Sequence, residues 1–385
     1  MGYREFFHFG IMANLMVCNN TFSQLVQVAL GEKACLDRAL SASEWERMLA
    51  LARKQAVVGL LADAIEALPD GQKAPVGVRM TCASLTIAIE RQNVQANRDC
   101  VDISRRFEGR GFRCCILKGQ GNALSYPNPL RRQSGDIDLW LDGGREKVVA
   151  YVKGVTREIE ARIHHVEYKE PDMATPVELH YIPMFLYSFV SQRRFERYCR
   201  KEMDRQMSNC RVMAKELVGM SRNGNYRISI PTADFNAVFQ MVHVMRHLFE
   251  EGIGLRQIID YYFVLKGLDS ERKEDVMSVL RGLGLKRFAA SLMYVLREVC
   301  GMDEKLMLCP MDVKGGRLLL DEIMMAGNFG KEDERLCGWR RKSIFHMFVW
   351  KFGNNIRYWR LCPSEVVWGP VFRVWHFCWR KWKGY

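Results

Sequence analysis

The stretch Cys115 to Leu141, CILKGQGNALSYPNPLRRQSGDIDLWL, constrains this chain most, because it sets a Lys-Gly turn and the pair Asp136 and Asp138 on consecutive strand-like segments. Side chains alternate along a strand, so the two aspartates share one face while Ile137, Leu139 and Leu141 supply apolar packing. Two carboxylates in one small volume repel each other unless a cation or a proton enters. Hard oxygen donors of this kind suit Mg²⁺ or Mn²⁺, which bridge carboxylates to phosphate oxygens.

Upstream, Phe112 to Leu117 reads as a short buried strand, and Lys118-Gly119-Gln120-Gly121 follows where the chain turns toward a helix. Glycines at such a turn let backbone N–H groups approach phosphate oxygens, and a helix N-terminus adds favourable potential. Lys118 adds a point positive charge. The phosphate-loop pattern G-x-x-x-x-G-K-[ST] is absent, and the Gly-x-Gly is too short for a dinucleotide fingerprint. A glycine turn alone is ordinary punctuation. The order of the parts says more: strand, Lys-Gly turn, short helix, a loop containing proline, then Arg132 to Asp138.

That order resembles the DNA polymerase β nucleotidyltransferase superfamily, and within it a largely uncharacterised bacterial nucleotidyltransferase family whose core reads roughly L-K-G, Y-P, R-x-x-G-D-I-D-L. The matching residues are Leu117-Lys118-Gly119, Tyr126-Pro127, Arg132 and Gly135-Asp136-Ile137-Asp138-Leu139. The superfamily turn is more often Gly-Gly or Gly-Ser, so Lys118 stands where a small residue is usual. The resemblance implies an α+β fold: a polymerase-β-like core, a small mixed sheet with helices, flanked by helical N- and C-terminal regions. It also implies Mg²⁺-dependent (or Mn²⁺-dependent) transfer of a nucleoside monophosphate from an NTP, ATP by default, to a hydroxyl acceptor, with release of pyrophosphate. Asp136 and Asp138 would hold the metal, and Lys118, Gly119, Arg132 and Gly135 would bind phosphate.

Two metals are poorly held by two side chains, so a third carboxylate is expected from a neighbouring strand. In Pro176 to His180 (PVELH), alternation puts Glu178 and His180 on one face, and the resemblance implies an acid followed two residues later by His at this point. Glu178 is the expected base or second metal ligand. The plainer reading of the same residues is a half-exposed strand with polar groups facing water.

Ser41 and Glu44 form a capping-box pattern that opens a helix in which Trp45, Leu49, Ala52, Ala56 and Leu60 recur at helical spacing. Thr232 to Phe249 and Leu255 to Leu265 read as two further helices joined by the turn Glu250 to Gly254, and their H-x-x-x-H and G-x-x-L-R-x-x-x-D patterns are similar to the helical half of the family. His243 and His247 share a helix face, but the third ligand and the glutamate of a zinc helix motif are missing. Either histidine against a cleft, with Arg256 and Asp260 as an i,i+4 pair that orients it or touches the nucleotide, is one reading. A packing network between two helices is the other.

The remaining sequence sets the context. A chain of 385 residues can bury a substantial core in two or three domains. The divisions expected are a helical region at 1–108, the α/β core at 109–182 with a helix around Arg145 to Val152, a mostly helical part at 183–335 with a strand at Tyr226 to Ile230, and a tail at 336–385. The long segment Pro75 to Glu108 closes the first region. No run is apolar enough to span a bilayer, and the opening residues lack a signal-peptide or myristoylation pattern, with Met1, Met12 and Met16 all open as the start. The 13 cysteines are scattered without a C-x-x-C pair, which reads as buried thiols in a reducing compartment, the cytoplasm by default.

From Trp339 to Tyr385 there are ten Lys or Arg, one acid (Glu365) and seven of the nine tryptophans, so most of the net charge of +13 lies in the tail. Three readings are open: packing on the catalytic part, docking on an anionic membrane surface at the inner face, or stacking on nucleic acid, the least favoured. Two alternatives to a freely acting enzyme also stand. One is a nucleotide-binding scaffold without chemistry; the other is a membrane-peripheral component beside surface-polysaccharide machinery, an association drawn from similar proteins.

Overall fold

A computed structural model of the protein describes residues 20–156, 159–170, 172–222, 224–328, 353 and 355–383. Its sheet follows from the alternation of short strands. Strands β1 (Cys114–Ile116), β2 (Ile137–Leu141), β3 (His165–Tyr168) and β4 (Val177–His180) lie in the order β1-β2-β4-β3. β2 runs parallel to β4 and antiparallel to β1, while β3 pairs antiparallel with β4. One face, with Ile116, Leu139, Val166, Val177 and Leu179, packs on Val148 and Val152 of helix α6 (Gly144–Val155) and on Phe107. The register sets Asp138 beside Glu178, Trp140 beside His180, and His165 beside His180, so these polar side chains line the other face.

Helix α1 covers residues 20–29. The Ser41 capping box opens α2 (Ala42–Lys54), with Ser41 Oγ accepting from the Glu44 N–H and the Glu44 carboxylate accepting from the Ser41 N–H. The single apolar periodicity through Ala56 and Leu60 resolves into two helices, α2 and α3 (Val58–Ala67), because Ala56 takes φ +56°. Tertiary contacts hold that break: the buried Gln55 side chain donates to the Ile323 carbonyl and accepts from the Leu255 N–H.

The 34-residue α4 (Val76–Gly109) is continuous, beginning just after Pro75. Its first half packs in the larger apolar cluster through Val78 and Cys82, and its last turns pack under the sheet through Cys100, Ile103 and Phe107. Between them, buried Asn93 donates to the carbonyls of Leu130 (2.6 Å) and Arg132 (2.7 Å), and Asn97 accepts from Gln120 of the short helix α5 (Gln120–Ala123). Asp99 accepts from the Thr175 N–H and hydroxyl just ahead of β4. One helix thus fixes the three chain segments that converge beside Asp138.

After α7 (Phe189–Ser208), the pair β5 (Cys210–Val212) and β6 (Arg227–Ser229) forms a separate two-stranded sheet. Met213 and Ile228 join the core beneath the main sheet, so this segment packs with the α/β unit although it follows it in sequence. Helices α8 (Ala233–Glu250), α9 (Leu255–Lys266), α10 (Lys273–Gly282), α11 (Lys286–Cys300) and α12 (Val313–Ala326) share the larger cluster. Among the described residues, no helix is long and apolar enough to cross a membrane.

In the tail, the segment from Phe345 to Trp350 lies outside the described residues. Helix α13 (Pro363–Lys383) runs through Pro370, where the sequence predicts a break at Gly369-Pro370. Proline removes one backbone hydrogen bond, but tertiary packing offsets the loss here. Phe372 stacks on Phe185, Gly369 sits against the Tyr187 ring, and Glu365 accepts from the backbone of Tyr187 and Ser188 and from Arg246.

The loop carrying Arg132 is clamped onto α3. Arg131 pairs with Asp63 (2.6 Å), Glu66 (2.8 Å) and Glu90 (3.0 Å), and its backbone presses on Gly59, where an added Cβ would meet the Arg131 carbonyl oxygen at 2.0 Å. Gly59→Ala is expected to destabilise the fold by about 1–3 kcal/mol through overpacking, read as a lowered urea midpoint with unchanged slope.

Candidate active site

A cleft of about 350 Å³ opens between the polar face of the sheet and helices α8 and α9. Its walls bring together Lys118, Gly119, Arg132, Gly135, Asp136 and Asp138 from the α/β core with Gln240, His243, Arg256, Gln257 and Asp260 from the helical part. Glu178 and His180 lie next to Asp138: the His180 Nε2 is 3.0 Å from Asp138 Oδ1 and 3.3 Å from Glu178 Oε2. Of the residues singled out from sequence, His247 alone stands back from this assembly, half-buried behind His243, with the two Nε2 atoms 3.0 Å apart. Neither of those histidines belongs to a three-donor metal group among the described residues.

Local backbone explains how the core residues reach the cleft. Gly119, at φ +60°, lets the chain reverse between β1 and α5, a conformation a Cβ would strain. The reversal lays Lys118 over β2, its Nζ 3.2 Å from Asp138 Oδ2. Asp136 precedes β2 and is half-exposed at the cleft wall, whereas Asp138 is buried.

The charges are interlocked. Burial raises the Asp138 carboxyl above its ordinary range despite Lys118 beside it. Burial alone would lower Lys118 and His180; the carboxylates around Lys118 hold it above its ordinary value, and hydrogen bonds to Asp138 and Glu178 push His180 up to about 9. Glu178 sits well below the usual carboxylate range, since His180 outweighs the opposing effect of burial. Two protonated side chains, Lys118 and His180, therefore neutralise two carboxylates in one place. A single divalent cation would supply the same charge, and the oxygen-rich set of Asp138 and Glu178, with Asp136 at the wall, fits Mg²⁺ or Mn²⁺. Asp138, Glu178 and His180 form a group whose donor atoms lie within 4.8 Å of one another; Asp136 lies outside that group.

The opposite wall is built on guanidinium groups. Asp260 is the partner of Arg132, accepting at Oδ1 from Nε (2.7 Å) and at Oδ2 from Nη2 (2.6 Å), and it also accepts from Tyr126 (2.7 Å) and Asn122 (3.3 Å). Arg256, four residues before Asp260 on the same helix, also helps to hold that carboxyl down, and it donates to the Gln133 carbonyl (3.0 Å). Burial raises the Asp260 carboxyl, but Arg132 outweighs it and holds the group below its usual range. Burial and the adjacent Arg132 pull Arg256 down to about 10. Crowded, desolvated cations of this kind favour an anionic ligand. The Nε2 amides of Gln240 and Gln257 and the His243 Nδ1 are buried without a hydrogen-bond partner among the described residues, adding polar groups for such a ligand to meet.

The sequence match spans the same ground. Residues 41–301, about two-thirds of the chain, match the family described as "uncharacterised nucleotidyltransferase". The protein belongs to this nucleotidyltransferase family. No curated protein and no solved structure gave a match. Membership gives the nucleotidyltransferase an NTP as donor and an α+β core between helical flanks, the architecture described above.

Several residues that build the site have no role assigned from sequence: Asn93, Asn97, His164, His165, Gln240 and Gln257, and Tyr126 enters there only as a motif residue. A signal existed for the asparagines, which interrupt the apolar face of a long helix, and Tyr126 lies inside the matched Tyr-Pro motif. In the nucleotidyltransferase, Asp260→Ala is expected to cost about 3–5 kcal/mol by stranding the buried Arg132. The double change Arg132→Met with Asp260→Leu should cost much less, as denaturant titration of the three variants would register.

Proposed function

We propose that the protein transfers a nucleoside monophosphate from an NTP, ATP by default, to a hydroxyl acceptor, using Mg²⁺ or Mn²⁺ and releasing pyrophosphate. One observation carries this reading: Asp136 and Asp138, with Glu178 next to Asp138, share a single cleft with Arg132 and Arg256. Asp136, Asp138 and Glu178 would hold the cation, which when bound polarises the phosphoryl oxygens and offsets developing charge. Lys118, the Gly119 and Gly135 backbone and Arg132 orient the β- and γ-phosphates, where charge grows as pyrophosphate departs. Asp260 and Tyr126 keep Arg132 in place for that role. The acceptor oxygen bonds to the α-phosphorus as the bond to pyrophosphate breaks, and its proton leaves toward Glu178 or solvent.

Asp136→Asn is the cleanest probe, because Asp136 is half-exposed, while Asp138 also partners Lys118 and His180. Thermal midpoints are to be measured with each of the four NTPs, with and without Mg²⁺. A nucleotide at about a hundred times its Kd should stabilise the wild type by about 2.7 kcal/mol. Asp136→Asn should lose that metal-dependent shift while keeping its ligand-free midpoint. No shift with any NTP would remove the transfer reading; a shift without turnover on any hydroxyl acceptor would make the protein a nucleotide-binding scaffold.

The tail supports a second reading, docking on an anionic membrane surface. On α13, Val367, Val371, Val374, Cys378 and Trp382 fall on one helical face and all are exposed, Trp382 at 78%. Lys381 lies beside this stripe, Arg380 is elsewhere on the same helix, Arg373 is turned to Tyr187, and the tail's one acid, Glu365, is buried against Arg246. An exposed apolar stripe on a helix of a basic tail matches an interfacial helix, and a cytoplasmic protein would meet anionic lipid at the inner face of the membrane. Val371→Glu with Val374→Glu should cut co-sedimentation with phosphatidylglycerol vesicles by at least about tenfold without lowering the thermal midpoint. Equal sedimentation of variant and wild type would leave the stripe without this role.

A further inference from the structure

Beside the acidic floor, three imidazoles crowd together in a way that nucleotidyl transfer does not use. His165 on β3 is the direct cross-strand neighbour of His180 on β4, Glu178 lies two residues before His180 on the same face, and His164 precedes β3. All three histidines are more than nine-tenths buried. One donor nitrogen from each ring lies within 4.8 Å of the other two, and the His165 Nδ1 and His180 Nε2 both approach the Glu178 carboxylate.

We propose that His164, His165 and His180 hold a transition-metal ion of the zinc class, with Glu178, close to two of the three rings, beside the fourth position of a tetrahedral shell. Bonds of about 2.0–2.2 Å place neighbouring donors of a tetrahedral ion about 3.3–3.5 Å apart. The His165 Nδ1 is 3.4 Å and the His180 Nε2 3.3 Å from Glu178 Oε2, and the His165 Nδ1 is 3.0 Å from the His164 Nε2. The same geometry sets imidazole centres about 5 Å apart; here they are 4.3, 5.1 and 5.3 Å apart. Three imidazoles and one carboxylate select zinc, cobalt or nickel over magnesium, which prefers an all-oxygen shell. Glu178 and His180 belong to this set and to the group around Asp138, so a zinc-class ion here and a cation at Asp138 and Glu178 exclude one another.

Co²⁺ titration of the full-length, metal-stripped protein, without nucleotide, tests the site. The expected result is one equivalent bound with the intense visible bands of tetrahedral cobalt, displaced by Zn²⁺ and unaffected by millimolar Mg²⁺. His164→Ala and His165→Ala should each weaken binding by at least about tenfold, since losing even an outer-shell partner costs that much, whereas Asp138→Asn should keep the bands. Absent or octahedral-type bands, or bands unchanged in both histidine variants, would overturn the assignment. Zinc K-edge absorption of the wild-type complex decides the matter if the variants fold poorly: three imidazole scatterers are expected, and sulfur or fewer than two imidazoles sinks it. Nucleotide is absent throughout, so a negative result leaves the transfer reading as it stands.

Discussion

Asp138 and Glu178 face each other across the parallel pairing of β2 with β4, and neither charge survives burial without positive charge beside it. The fold brings that charge from two directions, Lys118 from the turn after β1 and His180 from β4 itself. Everything else at the site serves this arrangement. The apolar residues between the acids are turned to the opposite face, where they weld the sheet to α6 and to the end of α4. Pairing register, core packing and site electrostatics are three views of one strand alternation.

The second wall follows a different logic. Arg132 arrives on an irregular loop, and an irregular loop holds a buried guanidinium only if its backbone is tied down. Asn93 fixes the Arg132 carbonyl, Arg131 binds three acids on α3 and α4, and Asp260 takes the head group. The cleft is therefore lined by side chains whose partners come from separate stretches of the chain. Its geometry depends on the α/β core and the helical part being folded together.

That difference explains what could be read in advance. The Asp136-Ile137-Asp138 pair, Glu178 with His180, the capping box and the helices at Ala233–Glu250 and Leu255–Lys266 are written in local spacing, and local spacing is visible in one sequence. The partnership of Arg132 with Asp260 spans 128 positions, and the His165–His180 contact depends on which strands pair, which no periodicity states. Ala56 and Pro370 mislead for the same reason. At both positions local preference is overruled, by the Gln55 contacts in one case and by the bed of Tyr187 and Phe185 under α13 in the other. The imidazole cluster had no spacing signature because His165 and His180 come from different strands.

The unbroken α4 has a further effect. At about 1.5 Å per residue its 34 residues make a strut roughly 50 Å long. Asn93, Asn97 and Asp99 are set along it in a fixed rotational phase, each aimed at a different loop. One inserted or deleted residue between Cys82 and Asn93 would turn all three by about 100° relative to the helices packed on the first half. Substitutions along this strut can be absorbed one at a time, but a change of length cannot, so lineages of this chain should vary its composition freely before they vary its count.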